Sequence, residues 1–330
     1  MRVYEWLDRI DEPAVVSGYV GARDARPGRL ARSAGAVLAA ERRLRRIAAR
    51  RPERLLLHRE ASPLSRGALE VRLAREAAFS VYDFDDALQW DTGEGGRLRR
   101  LAPKAPKALA AVRAVDRVIA GNAVLADWAS EHNADVVVVP SCVAVDAYRA
   151  KAGYELADPP RIGWIGNAGN EAYLPVLGPA LEELHRRTGA RLTIVGATER
   201  RLGRLEAIID RIPWSEATQH DELASLDIGV APVPDAPYER GKCGYKLLQY
   251  GAAGVPVVAS PVGVNREILR AFGMPAVESG GDWTGTILDL LERPASERAA
   301  LGRGARATTL RDYSFQAWLP RWRAAVGIDA

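Results

Sequence analysis

Short β-branched or apolar runs alternate with longer amphipathic stretches almost from end to end, and this predicts an α/β protein with parallel sheets covered by helices. Length makes it two units, because 330 residues exceed one ordinary domain of about 100–200 residues. The periodicity also lapses once, over 145–160, where the run ends in Asp158-Pro-Pro and reads as an interdomain linker.

In the first half, strands are expected over 1–7, 54–58, 79–83, 117–120 and 135–139, each a compact apolar run. Helices are expected between them over 29–51, 66–77, 98–115 and 123–132. After the linker a strand over 161–165 meets a Gly-Asn-Ala-Gly-Asn turn and a helix over 173–187. Further strands follow at 191–195, 227–231 and 256–259, and helices at 200–211, 242–253 and 265–272. Tandem α/β units bind ligands outside the carboxyl ends of their strands, so candidate residues are sought there.

Composition excludes several classes. Apolar residues make up 48% and charged residues 27%, as in globular proteins rather than disordered chains. No apolar run reaches the roughly 18–20 residues a spanning helix needs, and the acidic N-terminus lacks the core of a signal peptide, so a cytoplasmic protein is expected. Cys142 and Cys243 stand far apart without zinc-site spacing. A net charge of +4 over this length, with acids scattered among the arginines, does not call for nucleic acid.

Nearly all the basic residues are arginine, and lysine occurs only at 104, 107, 151, 242 and 246. Two of these five fall in a glycine-bearing loop, Gly241-Lys242-Cys243-Gly244-Tyr245-Lys246, at an expected strand-to-helix junction. A helix N-terminus with bare backbone and cations is suited to an anion, and lysines four apart share a helix face. The alternative is a surface helix with two solvated lysines.

The segment from Asp227 to Glu267, DIGVAPVPDAPYERGKCGYKLLQYGAAGVPVVASPVGVNRE, resembles the donor-binding segment of the retaining GT-B glycosyltransferases of family 4. Val81–Leu88, Asp116–Ala126 and Ile162–Asn167 occur in the same order as the family's pieces, so the likeness extends over roughly residues 80–325. It implies two facing Rossmann-like domains: 1–155 for the acceptor, 156–311 for a nucleotide sugar, and a C-terminal helix, 312–330, returning to the first. It implies transfer from a nucleoside diphosphate sugar, uridine-linked by family frequency, to a hydroxyl-bearing acceptor such as a natural product, polysaccharide or lipid-linked sugar. No cofactor or metal is implied. Alternatives sharing the architecture are a nucleotide-sugar 2-epimerase and a non-catalytic nucleotide-binding subunit.

Under that resemblance Lys242 and Lys246 neutralise the departing diphosphate, and Gly18, Gly166, Asn167, Gly241, Cys243 and Gly244 bring backbone to the donor. Trp214 stacks on the nucleobase. Many members carry a glutamate pair where this chain has Gly241 and Gln249, so Gln249 is left to bond the ribose and Glu239 or Asp235 to reach the sugar. The usual basic residues after the first strand of the second domain are replaced by Gly166-Asn-Ala-Gly-Asn170.

Three other features admit two readings each. Asp83, Asp85 and Asp86 end a strand and either recognise an acceptor or form a solvated helix cap. His58 ends another strand and either bonds substrate or packs. The arginine-rich, amphipathic stretch 41–51 is a solvated helix face or a weak contact with an anionic membrane. Trp164 is expected in the core, and Trp318 and Trp322 are expected to share the packing face of the last helix.

Overall fold

A computed structural model describes residues 2–19, 34–91, 103–167, 169–196, 201–213, 215 and 219–329. By its contacts the chain forms two units. The first comprises Met1–Pro140, Gly241–Cys243 and Leu319–Ala330; the second comprises Ser141–Arg240 and Gly244–Trp318. The division falls at Pro140, not at 155, because the expected linker is packed. Tyr148 and Tyr154 are buried, and the Lys151 amide donates to the Ala253 carbonyl at 2.8 Å.

In order, the first unit contains α1 (Arg2–Leu7), α2 (Ala34–Ala49), β1 (Arg54–His58), α3 (Ala68–Glu76), β2 (Phe79–Phe84), α4 (Lys104–Ala114), β3 (Arg117–Ala120), α5 (Ala123–Ser130) and β4 (Val136–Val138). Its sheet is parallel, in the order β1-β2-β3-β4. The register sets His58 beside Asp83 and Asp83 beside Ile119, so charged residues gather at the carboxyl ends of apolar strands.

The second unit contains β5 (Arg161–Ile165), α6 (Gly178–Thr188), β6 (Arg191–Val195), β7 (Ile209–Ile212), α7 (Gln219–Ala224), β8 (Ile228–Ala231), α8 (Pro237–Arg240), α9 (Tyr245–Ala253), β9 (Val257–Ala259), α10 (Asn265–Phe272), α11 (Trp283–Glu292) and α12 (Ala295–Tyr313). The final helix, α13 (Phe315–Ala325), runs from this unit into the first. All pairings in its sheet are parallel, in the order β7-β6-β5-β8-β9. Alternate strand residues feed two cores: Ile162, Trp164, Leu192, Ile194 and Val230 on one face, and Ile165, Val195, Ala231, Val257 and Ala259 on the other. That is the pattern of a sheet covered on both sides.

Several expected elements are corrected. Residues 2–7 form a helix rather than a strand, because the buried pair Arg2 and Trp6 is four apart and lies on one helical face. The helix expected over 200–211 is instead a 3-10 turn, Gly203–Ile208, followed by β7, where Ile209 and Ile212 flank Asp210 and Arg211. The helix expected from 242 begins at Tyr245, because Gly244 takes φ +64° and breaks the chain there. Lys242 is therefore outside the helix, and the shared-face argument for Lys242 and Lys246 fails. The terminal segment is two helices, since Ser314 is extended and its hydroxyl accepts the Ala317 amide. Trp322 is buried and stacks on Trp6 at 5.2 Å, whereas Trp318 belongs to the second unit and donates to the Asp312 carbonyl at 2.6 Å. They do not form one packing face.

Among the described residues no helix is long and apolar enough to cross a membrane.

Candidate functional site

In the second unit the strand order runs outward from β5 in both directions, so the connections diverge between β5 and β8. In open α/β sheets such a reversal leaves a crevice at the carboxyl ends of the strands. The ladder between them is short, pairing Ile162 with Ile228 and Gly163 with Gly229. Beyond it the buried Tyr250 of α9 takes over. Its hydroxyl accepts the Ile165 amide at 3.1 Å and lies 3.1 and 3.2 Å from the carbonyls of Gly163 and Val230, to either of which its proton can be donated. Gly229 makes room for it, since a Cβ there would stand 2.7 Å from the tyrosine ring.

Gly166 and Asn167 leave β5 at this edge. A Cβ on Gly166 would meet the Trp164 ring at 2.4 Å and Lys246 Cε at 3.0 Å. The bare backbone lets the Lys246 stem lie across the buried indole, with Nζ 5.4 Å from the ring centroid. Lys246 is the second residue of α9, whose N-terminus carries the positive end of the helix dipole. Gly244 precedes it in the left-handed region, and a Cβ there would collide with Ile268 at 2.5 Å. Glycine is thus required twice around one cation.

A hydrogen bond ties the two diverging connections. Tyr173, in the 3-10 turn Asn170–Leu177 after β5, donates from Oη to Glu239 Oε1 at 2.6 Å, and Glu239 lies on α8 after β8. Asp235 is exposed and held by Arg240 at 2.6 Å. Of the two carboxylates considered for the sugar, Glu239 is the one bridged to the β5 connection. Gln249 does not present its amide to a ligand: it is buried, and Nε2 donates to Tyr148 Oη at 3.1 Å. Trp214 lies outside the described residues.

The first unit is built differently. Asp83, on β2, is fully buried, with Arg2 Nε at 3.0 and 3.1 Å from its two oxygens and His58 Nδ1 at 2.8 Å. Arg2 also donates to the Val139 carbonyl at 2.5 Å. Burial opposes ionisation of Asp83, but Arg2 and the His58 hydrogen bond outweigh it and hold the carboxyl below its usual value. Asp83 is therefore a buried support for His58 and not a surface group awaiting an acceptor, which corrects the expectation for it. The His58 side chain itself keeps 28% exposure.

Arg59 follows at φ +58°, a left-handed conformation that costs a non-glycine residue roughly 1–3 kcal/mol. It is held there from both sides: its amide donates to the Asp83 carbonyl at 2.9 Å, and its carbonyl accepts from Tyr82 Oη at 2.7 Å. The guanidinium then reaches Asp85 at 2.6 Å and Asp86 at 2.9 Å. Burial resists ionisation of both, but Arg59 wins at Asp85 and holds it well below the ordinary carboxylate range. At Asp86 burial, helped by the negative Asp85, wins over Arg59, Lys242 and Lys104, and its value is raised.

Gly241, Lys242 and Cys243 belong to this first unit. Asn122 caps α5, accepting the Leu125 amide at 3.0 Å, while its Nδ2 donates to the carbonyls of Gly241 and Lys242 at 2.9 and 3.2 Å. A Cβ on Gly241 would lie 2.4 Å from Ala87 Cβ, so no carboxylate can stand where the family's glutamate is expected. Cys243 is buried, its Sγ filling the space beside Gly121, and burial pushes its thiol up to about 12. It is a packing residue there. Gly18 follows no strand; Arg43 donates to its carbonyl and to Ser17 Oγ, tying the segment to α2.

The residues that hold these groups were missed by sequence reasoning. Asn122 was findable as a cap residue before an apolar run. Arg2, Tyr173 and Tyr250 act across long sequence separations, and nothing in their local sequence announces it.

Residues 159–292 match the family described as Glycosyl transferases group 1. Among solved structures, the chain is similar to WaaG, a glycosyltransferase involved in lipopolysaccharide biosynthesis, at 15% identity and a TM-score of 0.62, covering 94% of this chain and 86% of that one. It is similar to Anabaena Alr3699/HepE, solved in complex with UDP and glucose, at 12% identity and a TM-score of 0.62, covering 86% and 81%. It is also similar to TarM from S. aureus at 14% identity and a TM-score of 0.57, covering 77% of this chain but only 51% of TarM, about half its length. These likenesses establish the GT-B fold. No curated protein matches the sequence.

Proposed function

We propose that this chain, whose residues 159–292 match the group 1 glycosyl transferases, moves a sugar from a nucleoside diphosphate sugar to a hydroxyl-bearing acceptor with retention at the anomeric carbon. The observation that carries the reading is the crevice between β5 and β8, where Gly166, the N-terminus of α9 and Lys246 converge. Backbone bared by glycine, a helix N-terminus and a fixed cation together stabilise the negative charge that grows on a departing diphosphate.

Lys246 and the first turn of α9 hold the diphosphate. Gly166, Asn167 and Gly244 bring backbone to the donor, and Glu239, oriented by Tyr173, takes the part of the carboxylate that Gly241 excludes. His58 bonds a sugar hydroxyl. A uridine donor is supported by the UDP complexes of HepE. Charge neutralisation by the chain's own cations supports turnover without a metal, so chelation with EDTA is expected to leave the rate unchanged.

A thermal-shift screen of UDP, GDP, ADP and TDP sugars tests the reading, because a ligand that binds only the folded state raises Tm. One sugar nucleotide should raise Tm and, with an acceptor alcohol, be consumed; no shift with any of them would refute the assignment. Conversion of donor alone into its epimer would establish the 2-epimerase instead.

The acceptor is proposed to be lipid-linked or borne at an anionic membrane surface. On α2, Ala40, Leu44 and Ala48 are buried while Arg42, Arg45 and Arg46, with Arg50 just past its end, are exposed, and the lone acid of the stretch 41–51, Glu41, is engaged by Tyr19 at 2.9 Å and by Ser62. Sedimentation with phosphatidylserine vesicles, lost in 0.5 M salt and absent for neutral vesicles, is the expected result.

A further inference from the structure

We infer that Asp83 and Arg2 are positioning residues that fix the tautomer of His58, so that its Nε2 is presented as a hydrogen-bond acceptor for a substrate hydroxyl. The inference deepens, and rests on, the proposed sugar transfer. Arg2 has only donors, and its Nε lies within 3.1 Å of both Asp83 oxygens, so the carboxyl between them is an ionised acceptor. An ionised carboxylate has no proton to give, so the 2.8 Å contact with His58 requires the proton on Nδ1. In the neutral ring Nε2 is then left with its lone pair. A fully buried Asp beside a ring that retains 28% exposure is the arrangement of a support and a working group.

Arg2 adds a second effect: its guanidinium balances the charge of the Asp83 carboxylate within the buried pair. Also near His58 among the described residues are Asp85, beyond the end of β2, and Arg59, next in the chain, which pair with each other at 2.6 Å. Cys243, near Arg2, is neutral because its thiol is pushed up to about 12. Arg2 is itself placed by α1, whose Trp6 stacks on Trp322 at 5.2 Å and 7° between planes, so the N-terminal helix and the end of α13 hold the support in register.

Long-range ¹H–¹⁵N NMR on the full chain, with ¹⁵N-histidine, reads the tautomer without any substrate. Wild type should show His58 protonated at Nδ1 and bare at Nε2. In Asp83→Asn, Arg2 claims the amide oxygen and turns the NH2 towards His58, so the proton should move to Nε2. Arg2→Met frees the Asp83 carboxylate from its fixed orientation, so the preference for the Nδ1–H tautomer should weaken. An Nε2–H tautomer in wild type, or an Nδ1–H tautomer retained in Asp83→Asn, would overturn the inference. With the donor found by thermal shift, Asp83→Asn should lower kcat roughly tenfold to a hundredfold, as loss of a histidine's orienting partner does elsewhere, with the Tm shift on donor binding retained. An unchanged kcat would also overturn it. A failed donor screen would refute the sugar-transfer reading while leaving the tautomer result standing, so the two failures are distinguishable.

Discussion

The strand ends of the two units are furnished in opposite ways. In the first, His58, Asp83, Asp85, Asp86 and Arg59 pair with one another or with Arg2, and Lys107 is buried against Glu60 at 2.7 Å. In the second, the crevice between β5 and β8 has glycines, a helix N-terminus and one lysine braced on tryptophan. A self-neutralised surface suits an uncharged polyhydroxylated ligand, read by hydrogen bonds of fixed direction. A surface of bared backbone, a helix N-terminus and a lysine suits a phosphate. The contrast is one of electrostatic bookkeeping within similar parallel sheets, and it can be broken at either side.

The largest effect is expected from Arg2→Met, which takes the balancing charge away from the buried Asp83 carboxylate. Removing one partner of a buried pair costs about 3–5 kcal/mol, read as a loss of unfolding free energy in urea. A loss under 1 kcal/mol would mean that Asp83 is not ionised and that the first unit is not neutralised in this way. Next is Gly241→Glu, which restores the residue the family resemblance expects. The Cβ would be driven to 2.4 Å from Ala87, and overpacking alone costs about 1–3 kcal/mol, so stability should fall and activity should not rise. A stable, more active variant would show that the tripeptide Gly241–Cys243 does not pack as described.

On the second unit, Lys246→Ala should weaken UDP binding about tenfold, or about 1.4 kcal/mol, by calorimetry. Its unfolding midpoint should fall only slightly, because the half-buried side chain loses little beyond the contact of its stem with the Trp164 ring. Equal affinity in wild type and variant would remove the contrast between the units, because the crevice would then have no special cation.

How far the sequence foretold this contrast depends on the range of the interactions involved. The strands from β1 to β6, β8 and β9 were legible because each is a local apolar run, and α10 matches its expected span because its helical periodicity is strong. The edge strand β7 was misread as helix because Ile209-Asp210-Arg211-Ile212 is too short to show a period, and its charges are spoken for by Arg191, Glu171 and Glu206. Around the site, the need for glycine at 166 and 244 and the importance of Lys246 were visible in a chain poor in lysine. That Asp83 faces inward was not, because its partner Arg2 is 81 positions away on a helix that looked like a strand. Gln249 looked like a ligand for the same reason: Tyr148, which occupies it, is 101 positions distant.

The finest test is between neighbours. Asp85, held low by Arg59 against burial, stabilises the fold when ionised, and that stability is present above the unfolded value near 3.9 and lost as pH falls through the folded one. Asp86, raised by burial and by Asp85, has the opposite sign: its contribution is present below about 3.9 and lost as pH rises through its folded value. At pH 7 Asp85→Asn should therefore lower the urea midpoint, while Asp86→Asn should leave it unchanged or raise it. At pH 3.5 the difference between the two should shrink, because the unfolded carboxyls are then largely protonated and Asp86 no longer bears its charge. Equal losses for both variants at pH 7 would mean that Arg59 serves the two carboxylates alike, and that the first unit has no asymmetry for a ligand to exploit.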